Sequence, residues 1–132
     1  MRWDGVVPPG PAPVEPTELV AGAWQLRPWP AAHADLDEVL AERYPDPARS
    51  TAERESRLHG WERGDLLGFA VREITTGACA AEVLVRVDGH GAVVEPWARV
   101  RGTVTASSDD LDATRAAVAR WVSGALGLEV LR

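Results

Sequence analysis

The most regular alternation of apolar and polar positions lies in the last third of the chain. Val100, Gly102, Val104 and Ala106 alternate with Arg99, Arg101, Thr103 and Thr105, the period of two of a strand buried on one face. Ser107, Ser108, Asp109 and Asp110 follow, residue types that cap helices and place carboxylates where a helix N-terminus is partly positive. Leu111, Val118, Trp121, Val122, Ala125 and Leu126 then recur at three- and four-residue spacing, one face of an amphipathic helix. Gly127 is a stop residue, and residues 128–131 resume as a short apolar strand. This part of the chain reads strand, loop, helix, strand.

Upstream, residues 23–28 predict a strand with Trp24 and Leu26 on one face. Pro30 suits a first helical turn, and Leu36, Val39, Leu40 and Tyr44 give helical spacing up to the Tyr44-Pro45-Asp46-Pro47 break. A second, more polar helix is expected from Thr51 to about Trp61, with Glu53, Arg54, Glu55 and Arg57 as its solvated face. Residues 66–73 and 80–87 predict an antiparallel pair joined by Thr75-Thr76-Gly77-Ala78. Asp88-Gly89-His90-Gly91 is the next turn, and residues 92–97 lead into the alternating segment, with Pro96 marking an edge or a bulge. Residues 1–18 carry five prolines (Pro8, Pro9, Pro11, Pro13 and Pro16) and read as an extended or disordered leader. Packing of its Trp3, Val6 and Val7 on the domain or on a partner is the alternative. Residues 19–132 then form a single domain.

Composition narrows the function classes. A chain of 132 residues suits one domain. The net charge of −6 and pI near 5.0 argue against nucleic acid, which needs a basic face. All basic residues are Arg, a pattern of GC-rich coding without functional weight. Cys79 is the sole cysteine, which excludes an internal disulfide and fits a reducing, cytoplasmic setting. No segment reaches the ~18 apolar residues of a membrane span.

Ala113-Thr114-Arg115-Ala116, Ala119-Arg120-Trp121-Val122 and Gly124-Ala125-Leu126-Gly127-Leu128 resemble the central helix and following strand of the GNAT superfamily, the acyl-CoA N-acyltransferases. The nearest likeness is to the branch of ribosomal-protein N-terminal acetyltransferases. Trp24-Gln25-Leu26-Arg27-Pro28-Trp29 resembles that branch's first strand, and Trp61-Glu62-Arg63-Gly64, Phe69-Ala70-Val71 and Thr75-Thr76-Gly77 its entry into the next two. The resemblance implies an α+β fold: a mixed, mainly antiparallel sheet with flanking helices in the order β-α-α-β-β-β-α-β. The family's usual C-terminal helix and further strands are lacking. It also implies an acceptor cleft between the first helices and the sheet, for which Trp29, Tyr44, His59, Trp61 and Trp97 are the candidate lining residues. Core packing is the competing role for each aromatic.

The departures matter as much. The family's loop before the central helix is rich in Arg and Gly and cradles the coenzyme A pyrophosphate on the helix N-terminus. Here that loop is Ser107, Ser108, Asp109, Asp110, Leu111 and Asp112, without glycine and with three carboxylates a dianion would meet. The family's acidic residue near this strand falls at Arg99, and a general-acid tyrosine is missing, since the one tyrosine is Tyr44. No acyl-CoA cofactor is therefore expected; acetyl-CoA belongs to the alternative reading.

Few residues remain for chemistry. His33, His59 and His90 are too scattered for a metal site, and none is expected. Glu82 and Glu95 lie within apolar strands and either point to solvent or serve as a general base facing the cleft. His90, between glycines, is a third catalytic candidate. The leading expectation is a GNAT-like protein that has lost acyl-CoA binding and uses its cleft for another small molecule, as a cofactor-independent biosynthetic enzyme or a binding protein. The alternatives are an acyl-CoA-dependent N-acyltransferase and a non-enzymatic subunit, dimerising through the edge of residues 128–131 or binding a partner.

Overall fold

In the computed structural model, residues 12–131 are described. They build one mixed sheet from β1 (Leu19–Ala21), β2 (Trp24–Pro28), β3 (Leu66–Glu73), β4 (Cys79–Asp88), β5 (Gly91–Ala98) and β6 (Val130–Leu131), neighbours in sequence order. The first four pairings are antiparallel. The last, Ala92 with Val130 and Val93 with Leu131, is parallel. It is closed by the crossover helix α3 (Ser108–Ala125), as a parallel pair requires. A single 3-10 turn (Trp29–Ala31), α1 (His33–Arg43) and α2 (Pro47–Arg63) stand between β2 and β3. The class is α+β, with one strand, β1, more than the expected order.

Alternation along the strands assigns the two faces. Leu67, Phe69 and Val71 of β3, with Val83 and Val85 of β4 and Val94 of β5, are buried together against Val118 and Val122 of α3. Ala70 and Cys79 emerge on the other face beneath Leu36, Val39 and Leu40 of α1. Trp61, at the C-terminal end of α2, sits with the first group. It meets Phe69 edge-on at 5.2 Å and Trp121 at 5.9 Å, aromatic pairs worth about 0.5–1.5 kcal/mol each beyond their buried area. In α3 the buried stripe is Thr114, Ala117, Val118 and Val122, whereas Ala125 is exposed.

Helix ends follow local chemistry. The Tyr44-to-Pro47 break separates α1 from a longer α2 than expected. Asp46 accepts from the Arg49 N–H at 3.0 Å and Pro47 takes the first turn, so α2 begins at Pro47 and not Thr51. Gly64 ends it at φ 76, a left-handed conformation. A Cβ there would fall on the Ala12 carbonyl. Residues 12–18 run over this end of the domain: the Val14 N–H donates to the Trp61 carbonyl at 2.9 Å, and its side chain joins the core. Trp3, Val6 and Val7 lie outside the described residues.

The strand expected at residues 99–106 does not form. β5 begins earlier, at Gly91, and ends at Ala98 opposite Ala81. The Arg99 N–H still reaches the Ala80 carbonyl at 2.9 Å, but β4 starts at Cys79, so the partner strand runs out. The Glu42 carboxylate of α1 takes over. It accepts from the Val100 N–H at 2.6 Å, the Arg101 N–H at 3.3 Å and Arg99 Nε at 3.1 Å. Gly102, Val104 and Ala106 do face inward, half-buried, while Val100 is 83% exposed. The alternation is real and the ladder is not. Pro96 lies beyond the two residues of β5 that β6 reaches, so its missing N–H forfeits no bond to β6.

Candidate functional site

The chemistry of the chain converges on Glu82. It stands in the middle of β4, where residues 79–85 are all buried, and points to the face covered by α1 and α2. A lone carboxylate there would be costly to bury, and four donors surround it. Oε1 accepts from Arg43 Nη1 at 2.7 Å and Arg57 Nη2 at 3.0 Å; Oε2 accepts from Trp29 Nε1 at 2.7 Å and from Arg57 Nε. Arg57 is itself fully buried and also donates to Glu53 at 2.6 Å, one helical turn back. Burial opposes the Arg57 charge, but the bonds to Glu82, then Glu53, outweigh it and hold the guanidinium more firmly protonated than usual. Glu53 is held below the ordinary carboxylate range, its partial burial offset by the Arg57 bond.

Each partner comes from a different element. Trp29 is fixed by the 3-10 turn after β2, and its indole occupies the space above Gly68, where a Cβ would lie 2.5 Å from Cδ1. Arg43 closes α1, and Arg57 lies on the inward stripe of α2 with Gly60 and Trp61. The guanidinium of Arg43 rests 5.3 Å from the Trp97 ring centre and 5.5 Å from that of Tyr44; Arg49 stacks on Tyr44 at 4.7 Å. Trp97 is opposite Glu82 in the β4–β5 register, which puts it on the same face.

Thus four of the expected residues, Glu82, Trp29, Tyr44 and Trp97, come together. Others do not. Trp61 belongs to the opposite core, its Nε1 donating to the Gly68 carbonyl at 3.3 Å. His59 is on the exposed side of α2, 3.2 Å from Glu55. His90 is exposed in the β4–β5 turn, where its backbone N–H donates to Asp88. Glu95 forms a surface pair with Arg86 at 2.7 Å. Among the described residues no cluster of His, Cys, Asp and Glu has the makings of a metal site.

Arg57 is among the residues that sequence patterning assigned to solvent, and it is fully buried. The α2 positions a turn either side of it, Glu53 and Gly60, carry no apolar side chain, so hydrophobic periodicity hides it. The available signal was Glu82 itself, a charge inside an otherwise apolar run, residues 79–85, which demands a cationic partner.

What the cluster can do chemically is limited by its completeness. A carboxylate offers about four lone-pair sites, and all four are engaged. Glu82 has no acceptor left for a substrate proton, so it is an anchor that fastens the 3-10 turn, α1 and α2 to β4.

The start of α3 is equally self-contained. Ser107 Oγ accepts from the Asp110 N–H at 3.1 Å while Asp110 Oδ2 accepts from the Ser107 N–H at 2.9 Å, a reciprocal capping box. These Ser107 bonds hold the Asp110 carboxyl below its ordinary value. Asp109 and Asp112 are exposed beside it, as is Ser108.

The class these features define is a mixed α+β domain with a buried ionic anchor under its first two helices. No family model, no curated protein and no solved structure matches the chain. No described helix is long and apolar enough to cross a membrane.

Proposed function

We propose that this chain is a GNAT-like domain that does not hold acyl-CoA and acts as a small-molecule-binding protein without acyl transfer. The observation that carries the reading is the capping box of α3. The helix terminus that would receive a pyrophosphate is capped by its own Ser107 and Asp110, with Asp109 and Asp112 alongside. Like charges at close range repel, so a dianion there meets repulsion where the family offers backbone donors. The saturated Glu82 supports the second half of the reading, because the buried carboxylate under the helices is not free to act as a base.

The test is calorimetric titration with acetyl-CoA at low salt, on the natural protein and on Asp109→Arg/Asp110→Gly/Asp112→Arg, which opens the capping box and removes the carboxylates beside it. The expected result is no binding by the natural protein and measurable binding by the variant. Micromolar binding by the natural protein would overturn the reading and return acyl transfer to first place.

A further inference from the structure

At the N-terminal end of α1, away from the Arg43 end that meets Glu82, an open pocket of about 350 Å³ lies between the helix and residues 99–103. Its walls carry opposite charge. Asp35 and Glu38 line it from α1; Arg99 and Arg101 line it from the segment after β5, with Thr103 beside them and Cys79 beneath. Two carboxylates face two guanidiniums, so the pocket is neutral in sum and strongly dipolar. A simple anion meets Asp35 and Glu38, and a simple cation meets Arg99 and Arg101. A molecule carrying both charges meets an opposite charge on each side.

The pocket is also held in shape. Glu42 ties down the Val100 and Arg101 backbone, Arg99 Nη1 bonds Glu38 at 3.2 Å and the Cys79 carbonyl at 3.3 Å, and Arg72 Nε holds Asp35 Oδ2 at 3.2 Å. Arg99 is thus engaged in placing the wall, while Arg101 is exposed and presents its fork from the rim. The volume is at the lower end for ligand sites, about 300–1,000 Å³.

We infer that this pocket binds a small zwitterion of the free amino-acid type, its ammonium against Asp35 and Glu38 and its carboxylate on the Arg101 guanidinium. The inference deepens the binding-protein reading above and rests on it for the absence of turnover, but its test stands apart from acetyl-CoA.

The experiment is a two-dimensional NMR titration of the full chain with L-alanine, L-glutamine and L-leucine, each compared with its N-acetyl and its amide derivative. The expected result is saturable shifts at the amides of Cys79, Arg101, Gly102 and Thr103 with at least one amino acid. Both singly charged derivatives should bind at least tenfold more weakly. Arg101→Gln should weaken binding at least tenfold with an unchanged melting temperature, since the exposed side chain holds no part of the fold. Glu38→Gln should weaken binding as much from the acidic wall. No saturable shift with any of the three at millimolar concentrations would overturn the inference. So would equal binding of the N-acetyl derivative, an unaffected Arg101→Gln, or shifts confined to Tyr44 and Trp97. Acetyl-CoA binding, read at Asp109 and Asp112, would overturn the proposed function alone and leave these shifts to be judged separately.

Discussion

Replacing Glu82 by Gln is the sharpest probe of the anchor. The change is nearly isosteric, so it removes charge without opening a cavity. In the native site each carboxylate oxygen accepts two donors. In the variant one oxygen becomes an NH2 group facing two N–H donors, and the fully buried Arg57 loses its buried counterion and keeps only the half-buried Glu53. Removing one member of a buried pair costs about 3–5 kcal/mol, a large part of the ~5–15 kcal/mol that holds a domain together. With a urea m-value of about 2 kcal/mol per molar, the unfolding midpoint should fall by roughly 2 M. Two variants calibrate the scale. Arg43→Gln removes a partner whose side chain is 22% exposed and leaves Arg57 in place, so its cost should be intermediate. Glu95→Gln breaks the exposed pair with Arg86 and should cost ~0–1 kcal/mol. Replacing Glu82 by Leu together with Arg57→Met and Arg43→Met should recover much of the loss, since apolar groups of similar size can substitute for a buried ionic cluster. Urea unfolding followed by tryptophan fluorescence measures the series. A Glu82→Gln midpoint equal to that of Glu95→Gln would refute the anchor.

Three further outcomes are expected. Burial first raises the Glu42 pKa, but its bonds from the Val100 and Arg101 N–H groups and from Arg99 outweigh this and set it below the ordinary 4.5. A depressed folded-state pKa gives stability that is present above 4.5 and lost as pH falls through the lower folded value. Protection of the Val100 amide against hydrogen exchange should therefore persist through the ordinary 4.5 and be lost only at lower pH, and be missing at all pH in Glu42→Gln; equal protection in the two proteins would dismiss the latch. The Cys79 thiol, pushed up to about 12 chiefly by burial, should resist iodoacetamide at pH 8 in the folded protein and react at once in denaturant, as mass spectrometry would show. Gly64→Ala forces a Cβ onto the Ala12 carbonyl at a left-handed φ, so it should cost at least ~1 kcal/mol and expose residues 12–16 to proteases; an unchanged melting curve would count against that contact.

How far the fold could be read varied with what each element depends on. α3 was legible because its apolar spacing and its cap are both local. The β3–β4 hairpin was legible for the same reason. Residues 99–106 misled because alternation reports which side chains face inward, whereas a strand also needs a partner, and where β4 begins is a tertiary fact. Arg57 misled in the opposite direction: periodicity counts apolar residues, and α2 turns a guanidinium inward. β1 was missed because three residues ending at a turn carry no period. Within the candidate site, Glu82 was picked out correctly as anomalous, yet the choice between base and solvent omitted the third outcome, an acceptor with every lone pair filled.

That third outcome constrains any catalysis beneath α1 and α2. Among the described residues the buried charged side chains are Arg57 and Glu82, and they neutralise each other. Any proton acceptor near Tyr44 and Trp97 would have to come from a less buried group, where desolvation lifts a carboxylate pKa only weakly. Glu95, on the same face by register, is tied to Arg86 in water; Glu53 is bound by Arg57 and stabilised as the anion. The polar groups around Glu82 are arranged to hold helices rather than to exchange protons. A ligand is better accommodated at the other end of α1, where charges of both signs line open space.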